Sequence, residues 1–108
     1  MPTNCVLVWT TVNAEMDERA LASTLVEERL AACVNVMAEM YSVYRWKGSV
    51  EDDRERQLVI KTTADRVPEL WKRLRELHSY QVPEFLVLPA IDGSEDYLAW
   101  VRESTRQA

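Results

Sequence analysis

Glycine is nearly missing from this 108-residue chain; it occurs twice, at Gly48 and Gly93. A phosphate-cradling loop packs several glycines into a short span, so loops of that kind are excluded. Histidine occurs once, at His78. That rules out an H-E-x-x-H zinc motif, and any all-histidine metal centre would need several chains. The two cysteines, Cys5 and Cys33, form no C-x-x-C pair, so zinc-ribbon and thioredoxin-type motifs are absent. Basic charge is also scarce: 13 Lys and Arg stand against 18 Asp and Glu, a net charge of −5. Nucleic-acid binders concentrate positive charge on one face, so this balance argues against nucleic acid, and equally against an anionic membrane surface. No apolar run reaches the length of a membrane span. The start, MPTNCVLVWTTV, has neither the basic region nor the apolar length of a secretion signal. The expected location is the cytoplasm, with both thiols reduced.

What the chain does have is regular periodicity. Apolar residues make up 47% of it, which suits a globular protein, and its length suits one domain spanning residues 1–108. CVLVWTTV, residues 5–12, reads as a strand buried on both faces. Leu21, Ala22, Leu25, Val26 and Leu30 then fall at helical spacing, which predicts an amphipathic helix over about residues 14–31. CVNVMAEMYSVYRW, residues 33–46, reads as one long second strand, and KGS as a turn around Gly48. VEDDRERQLVIKTT, residues 50–63, returns as a third strand, charged first and apolar later. This hairpin outruns the other strands, so its tip is expected to project. Asp65 is the expected N-cap of a second helix carrying Val67, Leu70, Trp71, Leu74 and Leu77 on its apolar stripe, with a Glu69–Arg73 pair outside. Pro83 stops it before a fourth strand, residues 84–91. Asp92 and Glu95 suggest a capping box for a short final helix.

The order βαββαβ plus a C-terminal helix specifies an α+β, ferredoxin-like fold: an antiparallel sheet with two helices on one face. Two helices cover only one face, and a half-exposed antiparallel sheet should alternate apolar and polar residues. These strands do not alternate: Val6 to Trp9, Leu58 to Ile60 and Phe85 to Leu88 are unbroken apolar runs. A second subunit is the expected cover, with the C-terminal helix folding back as the alternative. The charged run Glu51 to Arg56 fits an exposed edge that needs either charge or a partner strand.

Five blocks in order, ERLAACVNV, SVYRWKG, LVIKT, HSYQVPE and YLAW, resemble the CutA family of divalent-cation tolerance proteins. The resemblance covers nearly the whole chain. It implies the ferredoxin-like fold, a homotrimer similar in architecture to P-II signalling proteins, and a link to copper or other divalent cations. It implies no settled enzymatic reaction.

Candidate chemistry centres on His78, in the last turn of the second helix. Two readings of it stand open. It is either a helix-end histidine bonded to nearby carbonyls, or a metal ligand or proton carrier. Glu84, six residues on, is close enough in sequence to orient its ring. Cys33 is the thiol candidate, since thiolate suits copper, although buried cysteines are ordinary core residues. Met37 is expected to share a strand face with Cys33, and Met40 to take the other. His78, Glu84 and Cys33 therefore form the candidate metal set, with copper or another divalent cation as the ion and none required for folding. Tyr44, Trp46 and Lys61 form the candidate ligand set: aromatics and a cation suit a small anion at a subunit boundary, though aromatics also fill interfaces. Three functions follow. They are metal response through a homotrimer, a P-II-like sensor or scaffold for a small anion, and a hydrolase or transferase with His78 as base. The last has no nucleophile motif behind it.

Overall fold

The computed structural model describes residues 3–107. The elements run β1 (Cys5–Asn13), α1 (Glu18–Glu27), β2 (Cys33–Val36), β3 (Met40–Trp46), β4 (Ser49–Thr63), a 3-10 turn (Ala64–Arg66), α2 (Val67–Leu77), β5 (Leu86–Pro89) and α3 (Glu95–Ser104). The sheet is antiparallel in the order β2-β4-β1-β5, with β3 continuing along β4. This is the α+β, ferredoxin-like arrangement expected from the periodicities.

The main core lies between one sheet face and the first two helices. Val6, Val8 and Val12 of β1 and Leu58 and Ile60 of β4 pack with Leu21 and Leu25 of α1 and Leu70 and Leu74 of α2. Burial of such side chains contributes about 1.5–3 kcal/mol each before entropy is counted. Helix α3 does fold back over the opposite face, but only at one end. There Val101 and Leu98 pack with Cys5, Ala32 and Ala90, and Thr105 meets Thr63. Further along the same face Leu86 and Leu88 stay 57% and 41% exposed. Trp9, paired in register with Leu86 and Val59, has its indole N–H buried without a partner among the described residues.

Several local features differ from the sequence expectations, each for a definable reason. Helix α1 begins later because the Asp17 carboxylate captures the Ala20 amide at 3.1 Å and becomes the N-cap. The expected single second strand is two, β2 and β3. Residues 37–39 stand against only Arg56 and Gln57, so one extra residue makes a β-bulge. The bulge resets the alternation: Cys33 pairs with Lys61 and Met40 with Glu55, so both now point to one sheet face, contrary to the simple period-two count. Asp65 sits within the 3-10 turn and accepts from the Asn4 amide, so it does not cap α2; Arg66 takes the N-cap position with no side-chain cap bond, and Pro68, which needs no amide partner, sits in the first turn. Glu69 pairs with Arg66, and Arg73 with Glu28 and Glu76, in place of the expected Glu69–Arg73 pair. Ser94, rather than Asp92, caps α3 by accepting from Tyr97.

The end of α1 is strained in one place. Leu30 donates to the Leu25 carbonyl and Arg29 to that of Val26, a Schellman closure that puts Arg29 at φ 61°. Glycine takes that conformation without a Cβ penalty. Arg29→Gly is therefore expected to raise stability by about 1 kcal/mol, read as a higher urea midpoint. A lower midpoint would show that the arginine side chain compensates for its backbone.

Candidate functional site

The bulge and the β4 register together build a cleft at the root of the projecting hairpin. Strand β4 aims Asp53, Glu55 and Gln57 to one face, since they are two residues apart. The reset alternation aims Met40, Ser42, Tyr44 and Trp46 of β3 to that same face. The stretch between α2 and β5, residues 79–84, closes the far wall. The resulting space is about 760 Å³.

Polar contacts inside it are specific. The Tyr80 hydroxyl donates to Glu55 Oε2 at 2.6 Å, and the Tyr44 hydroxyl donates to Asp53. Gln57 Nε2 donates to Glu84 Oε1 at 2.9 Å and to the Thr10 carbonyl at 2.8 Å. Burial and the bond to Glu55 raise the Tyr80 phenol, while the bond to Asp53, with burial behind it, pushes the Tyr44 phenol up to about 12. Both phenols therefore stay protonated and serve as donors. Aspartate, glutamate and glutamate line the cleft, and among the described residues its wall contains no Lys or Arg.

His78 lies beneath this wall, 9% exposed. Its Nδ1 accepts from the Tyr80 amide at 3.1 Å, and its Nε2 bonds the Thr11 carbonyl at 2.7 Å. An amide can only donate and a carbonyl only accept, so the ring is the neutral tautomer with its proton on Nε2. Both ring nitrogens are used. In this arrangement neither is free to ligate a metal or to act as a base, and the ring works as a strut joining the end of α2 to β1.

The candidate metal set is not brought together. Glu84 lies in the cleft beside Gln57. Cys33 pairs with Lys61, four residues from Gln57 along β4, which is roughly 13 Å of strand. Both cysteines are free thiols. Among the described residues no group of three or more His, Cys, Asp or Glu could hold a metal ion. The candidate ligand set also divides within one protomer. Tyr44 and Trp46 line the cleft, whereas the Lys61 ammonium lies 5.7 Å from the Tyr97 ring centre. Lys61 and Glu51, the partner of Tyr44, are ten residues apart on β4, roughly 33 Å of strand. A small anion is thus a poor match for this cleft, where carboxylates would repel it.

Sequence reasoning missed Tyr80, Glu55, Asp53 and Gln57. The signal was available: D-x-E-x-Q at positions 53, 55 and 57 has the strand period and places three polar groups on one face. Their charge made the segment look like a solvated edge. The partner tyrosines come from other elements, which spacing along one strand does not reveal.

Among the described residues no helix is long and apolar enough to cross a membrane. The chain matches the family described as CutA1 divalent ion tolerance protein over residues 6–104. It is 48% identical over 99 residues to the divalent-cation tolerance protein CutA of Thermus thermophilus, covering 92% of this chain and 96% of that protein. It is 39% identical over 105 residues to protein CutA of Homo sapiens, covering 97% of this chain and 59% of the longer human protein. A solved structure of the Thermus thermophilus protein superimposes with a TM-score of 0.90 at 46% identity, covering 94% of this chain and 99% of that one. CutA1 from Oryza sativa does so at 0.92 and 36%, covering 99% and 98%. The family is named for tolerance of ions rather than for a reaction. Sequence blocks, sheet topology and superposition agree, and the chain belongs to the CutA1 divalent ion tolerance family.

Proposed function

We propose that the chain serves divalent-cation tolerance as a cytoplasmic homotrimer that takes up copper or a similar ion weakly in the acidic cleft. The observation that carries this reading is the convergence of Asp53, Glu55 and Glu84 on one cavity whose wall has no Lys or Arg. Carboxylates attract a divalent cation, but these three share a cavity without closing on one point among the described residues, so the ion keeps most of its water and binds loosely. His78 and Cys33 are not needed for this, since the first is spent on backbone groups and the second lies elsewhere on the sheet. The trimer rests on the half-covered second face, where Leu86 and Leu88 and the unpartnered Trp9 indole call for a neighbour.

A native mass spectrum during copper(II) titration tests both parts. The expected result is a species of three 12.5 kDa chains that gains copper mass, with the gain reduced severalfold in a Glu55→Gln, Glu84→Gln double variant. A monomer that takes up no copper would overturn the reading. Uptake unchanged in the double variant would move the ion out of the cleft.

A further inference from the structure

We propose that the cleft is also a binding site for a small organic cation, an alkylammonium or guanidinium compound. Glu55 supplies the reason. It is only 7% exposed, and the single hydrogen bond to its carboxylate among the described residues comes from the neutral Tyr80 hydroxyl to Oε2. No ion pair among the described residues reaches Glu55, Asp53 or Glu84. Proteins rarely bury a carboxylate without a countercharge, because desolvation is costly unless a cation compensates it. Here the unpaired carboxylate faces an open cavity, and the compensating charge fits there as a ligand.

The rest of the wall narrows the class of cation. Tyr44, Trp46 and Tyr80 line the space, and aromatic faces attract cations through the ring quadrupole. The chain has its own instance of this contact nearby: the Lys47 ammonium lies 5.5 Å from the Trp46 ring centre. Met40, Val82 and Pro83 add apolar surface for an alkyl chain. A volume of about 760 Å³ is within the range of small-molecule pockets, far beyond the need of a bare ion. A bare ion wants a shell of oxygen ligands, whereas an alkylammonium wants one or two carboxylates and an aromatic wall.

This inference uses the same acidic cleft as the divalent-ion reading, and the aromatic residues separate the two. Calorimetric titration of the whole protein with tetramethylammonium, n-butylammonium and butylguanidinium chlorides, against sodium chloride at matched ionic strength, is the test. Zinc sulfate is titrated separately. The expected result is saturable binding of at least one organic probe, weakened at least tenfold by Glu55→Gln and by Trp46→Leu, with zinc uptake unchanged in Trp46→Leu, since Trp46 lines the cleft and bonds none of its carboxylates among the described residues. Tyr44→Leu is the second aromatic variant for the organic probes should Trp46→Leu fail to fold. No saturable heat beyond the sodium chloride baseline would overturn the proposal, as would binding indifferent to both Glu55 and the aromatic variants. A Glu55→Gln change in oligomer mass, with no probe bound by the unmodified protein, would also overturn it. The missing cation would then be a side chain of a second copy. An unmodified protein that binds an organic probe but takes up neither zinc nor copper would overturn the divalent-ion reading and leave this one standing.

Discussion

Leu74→Ala is expected to lower the unfolding free energy by about 2–5 kcal/mol. Leu74 has no exposed surface and sits one turn after Leu70 on α2, facing the sheet. It shares the main core with Leu25, Leu58 and Ile60, three other fully buried side chains. Truncation to alanine removes its transfer free energy and leaves a cavity that a closely packed interior only partly fills. Leu74→Met keeps the volume, so it should cost under about 1.5 kcal/mol. Urea denaturation at matched chain concentration separates the two, since association would otherwise shift the apparent stability. A loss below about 1 kcal/mol for the alanine variant would mean that α2 rests loosely on the sheet.

His78→Ala is expected to cost about 3 kcal/mol, by a different mechanism. The ring fills little core volume, but it satisfies two backbone groups at once, the Thr11 carbonyl and the Tyr80 amide. Removing it strands both, and each buried orphan costs about 1–3 kcal/mol. Two conservative variants divide the effect. Asparagine can reproduce the near acceptor for Tyr80, and glutamine the far donor for Thr11, so each should recover about half of the loss. Copper uptake by a folded His78→Gln protein should match that of the unmodified one. If His78→Ala left stability unchanged and abolished copper uptake, the strut assignment would fail and the ligand reading of this histidine would return.

The helices and the core were legible because burial writes itself into spacing. Leu21 and Leu25, and Leu70 and Leu74, repeat every four residues and are the buried positions of their helices. The uncovered sheet face was legible too, in runs such as Leu86 to Leu88 that refuse to alternate. Three other features were hidden. The bulge between β2 and β3 depends on how residues 37–39 sit against β4, and nothing in MAE announces an extra residue. The caps were ambiguous because aspartate and serine compete at adjacent positions: Ser94 won over Asp92, while Asp65 was drawn to Asn4. The cleft was missed because each carboxylate finds its donor across the fold, Glu55 from Tyr80 and Glu84 from Gln57. His78 was visible from the outset. Its role was not, because a histidine's work depends on what each ring nitrogen meets.

Strand β4 is a single unbroken strand of 15 residues, half in the core and half in the projecting hairpin. Its inner half is clamped between β1 and β2, while its outer half has only β3 beside it. With no hinge between the halves, the hairpin is a lever whose fulcrum lies at Glu55, where Met40 and Asn13 flank the strand and the cleft opens. From that point to the turn at Lys47 and Gly48 is roughly 20 Å of strand, so a rotation of about 5° at the root displaces the tip by about 2 Å. Small changes in how Tyr80 and Tyr44 grip their carboxylates are thereby magnified at the far end of the molecule.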